Sequence, residues 1–108
     1  MITIRKQEEM EKYYVKEINA YMFNDNVEFL CDVNVEANII ANNIKACDIR
    51  AYDINALDII AGDINANNIS YDSLCYAYDN IECNSIEGRR EGAKHFVIQG
   101  KLIIKGRE

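Results

Sequence analysis

The chain has 108 residues, 49% of them apolar, and a formal net charge of −6. That is enough for one domain with a buried core and too apolar for a disordered tail. The acidity argues against direct nucleic-acid binding, and no apolar run approaches the ~20 residues of a membrane helix, so no membrane partner is expected.

Residues 2–4 (Ile-Thr-Ile) form a candidate strand. Residues 5–22 have the charge mix of an amphipathic α-helix, with Met10, Tyr14, Ile18 and Met22 as its apolar stripe. From residue 38 to residue 77 the chain repeats every five residues: NIIAN, NIKAC, DIRAY, DINAL, DIIAG, DINAN, NISYD, SLCYA. Residues 26–31 and 32–37 read as the same unit with one extra residue. After a two-residue insertion at Tyr78 and Asp79 the units NIECN and SIEGR follow. Residues 95–98 and 101–105 then read as a hairpin turning at Gln99 and Gly100. The chain thus divides into an N-terminal strand and helix cap (1–25), a repeat-built β-helix (26–89) and a C-terminal hairpin cap (90–108).

A short fixed period is the signature of a solenoid. Straight strands alternate every two residues and α-helices repeat at three and four, so neither yields five. Here the apolar positions are spaced two, then three: Ile49, Ala51, Ile54, Ala56. A step of two keeps both side chains on one face, and a step of three marks a corner. Corners of roughly 90° close a coil after four sides, which stacks Ile39 over Ile59 and Ile54 over Leu74. Twelve units then make about three coils. Tyr71 and Tyr76 replace Ala51 and Ala56 one coil later, plugging the last layer. The fold class is all-β: a four-sided β-helix stabilised by its isoleucine ladder, each Ile worth roughly 1.5–3 kcal/mol.

No N-terminal stretch has the pattern of a secretory signal. The cysteines (Cys31, Cys47, Cys75, Cys83) form no CxxC or Cys/His cluster. They read as reduced thiols of a cytoplasmic protein, with no metal and no cofactor expected. Residues 24–88 carry twelve acids and two bases, a net of −10, while the flanks carry ten bases and six acids.

The Asp/Asn-Ile units of residues 38–77 resemble those of pentapeptide-repeat proteins, whose usual unit is Ala-Asp/Asn-Leu-x-x. The Ala departs from that pattern, falling two residues after the Ile where the family has it three after. The six-residue units at 26–37 resemble those of bactofilin-type β-helices. The resemblance implies a right-handed, four-sided β-helix. It also implies a role: members of the family act as nucleic-acid mimics against DNA gyrase, and acidic phage proteins block CRISPR nucleases in the same way. Repeats of this D-I-x-A kind look like those in phage and mobile-element proteins.

Asp48, Asp53, Asp58 and Asp63 are the first candidates for partner binding, since charge spaced along a rod imitates a phosphate backbone. The bland alternative is that Asp and Asn suit corner geometry and hydrogen-bond local backbone. Tyr52 and Leu57, at equivalent outward positions on successive sides, are the second candidates. Ile40 and Ile60 are expected to stack in one outward column. Arg89, Arg90 and Lys94 could hold an anion or form a solvated turn. His95 lies near no Ser, Cys or carboxylate motif, and no catalytic residue is expected. The expected function is non-enzymatic binding of a protein partner, such as a nucleic-acid-binding enzyme. The rival is a structural module that self-associates through its caps, and a homodimer is expected in either case.

Overall fold

The computed structural model describes residues 1–105, so the last three residues of the expected C-terminal cap lie outside the described residues. The chain winds into a β-solenoid of about five turns plus two strands of a sixth. The first turn holds β1 (Ile2–Ile4), a 3-10 helix (Gln7–Tyr13), β2 (Tyr14–Val15), a second 3-10 turn (Lys16–Ile18) and β3 (Ala20–Met22). The second holds β4 (Val27–Phe29), β5 (Val33–Asn34) and β6 (Asn38–Ile40). The third holds β7 (Asn43–Lys45), β8 (Asp48–Arg50) and the first half of β9 (Asp53–Ala61). The rest of β9, β10 (Asp63–Asn65) and the first half of β11 (Asn68–Ala77) make the fourth. The rest of β11, β12 (Ile81–Cys83) and β13 (Ser85–Gly88) make the fifth, and β14 (Lys94–Val97) and β15 (Leu102–Ile104) follow.

Side one stacks β1, β4, β7, β9, β11 and β14 in parallel. Side two stacks β5, β8, β10, β12 and β15, and side three stacks β3, β6, β9, β11 and β13. The solenoid class and the inward isoleucines are as the period implies: Ile39, Ile44, Ile49, Ile54, Ile59, Ile64 and Ile69 are all buried. The number of sides is not. Ile39 pairs with Ile54 and Ile54 with Ile69, Ile44 with Ile59, Ile49 with Ile64. The perfect coil is therefore fifteen residues and three sides, not twenty and four. The physical reason lies in the shifted Ala. Two residues after each Ile it also points inward, into the corner where adjacent walls converge. A triangle's corners are sharper than a square's, which suits a small side chain; among the perfect units only Tyr71 departs from this inside the core.

The longer upstream units and the insertion at Tyr78 and Asp79 are absorbed as wider corners. Val27 pairs with Ile44, Val33 with Ile49 and Ile64 with Ile81 across correspondingly larger spacings. One slip escapes the sequence pattern. The register shifts by one residue between Tyr71 and Leu74. Cys75, not Leu74, takes the core position above Ile59, and Tyr76 points outward instead of plugging a layer.

Both ends also depart from expectation. Residues 5–22 do not form one α-helix, because the first full coil has strand edges to satisfy. β3 pairs with β6 and β2 folds back antiparallel on β3. Over β5 the side-chain amide of Gln7 stands in for a strand: its Nε2 donates to Asn34 O (3.0 Å) and its Oε1 accepts from Asn34 N–H (2.8 Å). Met10, from the expected stripe, plugs the end with Phe23 and Phe29, whereas Tyr14 and Ile18 are exposed. At the other end β14 and β15 do not form a hairpin with each other. They pair in parallel with β11 and β12, because their inward residues repeat the rod's own two-residue step.

Candidate protein-binding surface

Most solenoid corners carry Asp or Asn, and the stacked neighbour explains why. A corner N–H cannot point along the rod into a regular strand ladder, so a side-chain oxygen one coil earlier accepts it. Entering side two, Asp32 accepts from Asp48 N–H (3.3 Å), Asp48 from Asp63 (3.1 Å), Asp63 from Asn80 (2.9 Å) and Asn80 from Lys101 (3.0 Å). Entering side three, Asn38 accepts from Asp53 N–H (3.1 Å) and Asp53 from Asn68 (3.2 Å). Entering side one, Asn26 accepts from Asn43 (3.2 Å) and Asp58 from Leu74 (3.1 Å). The bland reading of the Asp/Asn positions is thus realised, though between coils and not within one turn.

The four candidate aspartates do not form one patch. Asp48 and Asp63 share a corner column, while Asp53 and Asp58 sit on the other two corners. Tyr52 and Leu57 are both exposed but lie on successive corners, ahead of Asp53 and Asp58. Tyr52 borders a shallow polar groove of about 480 Å³ with Arg50, Asn65 and Lys105, where bases interrupt the acidic wall. Ile40 and Ile60 do not stack: Ile40 adjoins Met22 and Asn55 on side three, and Ile60 adjoins Lys45 and Tyr76 on side one.

Two of the three basic candidates are spent on the rod itself, while Lys94 is exposed on β14. Arg89 donates to Asn55 Oδ1 (2.8 Å), Ser70 Oγ (2.7 Å) and Ala56 O (2.6 Å), and Arg90 pairs with Asp72 (3.5 Å). His95 Nδ1 and Tyr71 Oη share a hydrogen bond of 2.7 Å, which ties the last coil to the core. Burial pushes the Cys75 thiol up to about 12, which keeps it protonated and inert. Sequence reasoning missed an outward apolar column on side one. Ile60, Tyr76 and Phe96 are register neighbours, the two rings stacked at 5.2 Å and 13°, with exposed Tyr78 and Ile98 beside them. The one-residue slip hid it, because it turns Tyr76 from inside to outside.

Asp48 sits between Asp32 below and Asp63 above. Partial desolvation, then the charges of Asp63 and Asp32, hold its carboxyl above the ordinary range, opposed by the hydrogen bond from Asp63 N–H. A raised carboxylate pKa means that the folded state binds the proton more tightly than the unfolded one. The ionised group therefore costs stability above the raised value, and the cost is relieved as pH falls through it toward the unfolded value. Asp48→Asn keeps the acceptor oxygen and removes the repulsion. It should raise the melting temperature at pH 7 by an amount worth less than about 1 kcal/mol, with the advantage fading near pH 4. Paired thermal melts at the two pH values check this; a lower melting point at pH 7 would mean the charge is net favourable.

No protein-family model, no curated protein and no solved structure matches this chain.

Proposed function

We propose that this chain is a non-enzymatic β-solenoid that presents an acidic wall to a basic protein surface, as a mimic of nucleic acid. The observation that supports it is the charge on the second to fifth turns. Residues 24–88 carry a net −10, and none of those acids is buried. Four turns at ~4.8 Å each give one net negative charge per ~1.9 Å of rod, close to the ~1.7 Å of duplex DNA. The corner hydrogen bonds engage one oxygen of each aspartate and leave the charge facing water.

The five-residue unit supports the resemblance to pentapeptide-repeat proteins, while the three-sided coil sets this chain apart from them. The matching target is a cytoplasmic enzyme that binds nucleic acid, such as a gyrase or a defence nuclease, in a phage or mobile-element setting. No cofactor or metal enters this reading.

Replacing Asp48, Asp53, Asp58 and Asp63 together with Asn retains every corner acceptor and removes four charges. The variant should fold with a melting temperature at or above the parent's. It should also lose at least tenfold in partner capture from host lysate, about 1.4 kcal/mol. Capture by the parent should fade steeply with salt and be displaced by duplex DNA. Capture that survives both the substitutions and the DNA competitor would eliminate mimicry. Salt-insensitive self-association without any such capture would mark the chain as a structural module.

A further inference from the structure

The three walls of the rod show different faces to water. On side two the outward positions of turns two to five are Asn34, Arg50, Asn65 and Glu82. On side three Ile40 is followed by Asn55 and Ser70, with Arg89 laid across the last two. Side one changes character half-way up. Its lower turns carry Glu28 and Lys45, paired with each other at 3.8 Å. The next turns carry Ile60, Tyr76 and Phe96 in register. The rings of Tyr76 and Phe96 stack at 5.2 Å, and exposed Tyr78 and Ile98 widen the strip at the corner toward side two.

Acids stand on both rims of this strip. Asp58 opens its strand at one corner and Asp72 follows a turn later; Asp63 and Asp79 hold the other corner. Asp58 Oδ1 accepts from Leu74 N–H (3.1 Å) and Asp63 Oδ1 from Asn80 N–H (2.9 Å). The second oxygen of each accepts no hydrogen bond among the described residues. A groove of about 410 Å³ joins Ile60 to Asp58, Asn43 and Lys45.

We infer that this strip is the contact face of the acidic wall, and that its occupant is a basic amphipathic helix of the partner protein laid along the rod. Rungs ~4.8 Å apart nearly match the ~5.4 Å pitch of an α-helix, so one apolar stripe meets Ile60, Tyr76 and Phe96 in successive turns. The wall from Asp58 to Asp63 is at most about 16 Å wide, which admits a helix ~10–12 Å across. Lysines or arginines beside the stripe then reach a carboxylate on either rim, and the stem of one lies in the groove below Ile60. Cations mark the two ends of the strip: Lys45, held by Glu28, and exposed Lys94 beside Phe96. This face belongs to the acidic wall proposed above and depends on that reading. It adds an apolar centre that imitation of a phosphate backbone does not require.

Two synthetic peptides of about 18 residues, equal in lysine and leucine content, are the probes. One gathers its leucines on a single helical face and the other scatters them. Titrated into the full chain and followed by fluorescence anisotropy, the first should bind at least about tenfold more tightly and keep part of its affinity at high salt. Phe96→Ser should weaken that binding at least about tenfold, whereas Ile103→Ser on side two should not. Amide NMR shifts of the unaltered protein give a readout that does not depend on the variants folding. Those of β14 and of the second halves of β9 and β11 should move on binding, and those of β8 and β10 should not. Equal binding of both peptides, fading together with salt, would overturn the inference and leave the acidic wall standing. No binding of either peptide at low salt would overturn both. Shifts confined to another side would overturn the inference alone. So would self-association, or attachment to neutral phosphatidylcholine vesicles, that Phe96→Ser abolishes, since each gives the strip a different occupant.

Discussion

Ile59→Asp should leave the chain without a cooperative fold. Ile59 is fully buried in the fourth turn, in register with Ile44 on one side and Cys75 on the other. It shares its layer with Ile64, Ile69 and Tyr71, all of them closed to water. No cation lies among these neighbours, and the one hydroxyl, on Tyr71, is engaged with His95; an uncompensated buried charge costs several kcal/mol. A domain of this size holds about 5–15 kcal/mol in total. Position compounds the cost, because each turn of a solenoid is supported only by the turns next to it. Disrupting the middle layer separates the two halves. Far-UV circular dichroism and a thermal melt test this, with Ile59→Val as the control expected to cost about 0.5–1.5 kcal/mol. A folded Asp variant with the parent's melting temperature would mean that position 59 does not face the interior.

What could be read from the residues was the unit; what could not was the closure. Inward and outward positions follow from the two-then-three spacing, a property of each five-residue side, and Ile49, Ala51, Ile54 and Ala56 are all buried as that spacing requires. The number of sides depends on the turn at each corner. A period of five is equally compatible with stacking at fifteen or at twenty, since Ile lies over Ile either way. The small residue two positions after each Ile was the available clue to sharper corners. The slip between Tyr71 and Leu74 was masked because Leu74 fits an apolar position in the uninterrupted pattern. The N-terminal residues 5–22 satisfy a helical pattern locally, yet the free edges of β5 and β6 offer hydrogen bonds that an isolated helix does not. The candidate site inherited the same ambiguity. That Asp and Asn belong at corners was legible, but which N–H each one meets depends on the stacking offset. So did the distribution of Asp48, Asp53, Asp58 and Asp63 over three corners.

The second large effect concerns Tyr71, a bulky residue buried in an Ala position of the fifteen-residue coil. It lies directly above Ala56 in register and is almost wholly buried. Above it stands Gly88, which has no side chain to occupy the space. Through that gap the phenol reaches His95, its hydroxyl 2.7 Å from Nδ1 and the two rings edge to face at 5.9 Å. Tyr71 therefore links the fourth turn to the start of the sixth. Tyr71→Ala should cost about 3–5 kcal/mol through the cavity and the unpaired imidazole. Tyr71→Phe, which loses only the hydrogen bond, should cost about 1 kcal/mol. A Cβ at position 88 would stand 3.0 Å from the Tyr71 ring carbon that carries the hydroxyl and would collide with Ala93. Gly88→Ala should then cost about 1–3 kcal/mol by overpacking. In the Tyr71→Ala background that penalty should shrink, because one of the two crowding neighbours is gone. Denaturant unfolding of the two single variants and the double variant gives the coupling. Strict additivity would mean that the ring does not depend on the space left by Gly88, and that the fourth and sixth turns are not joined through it.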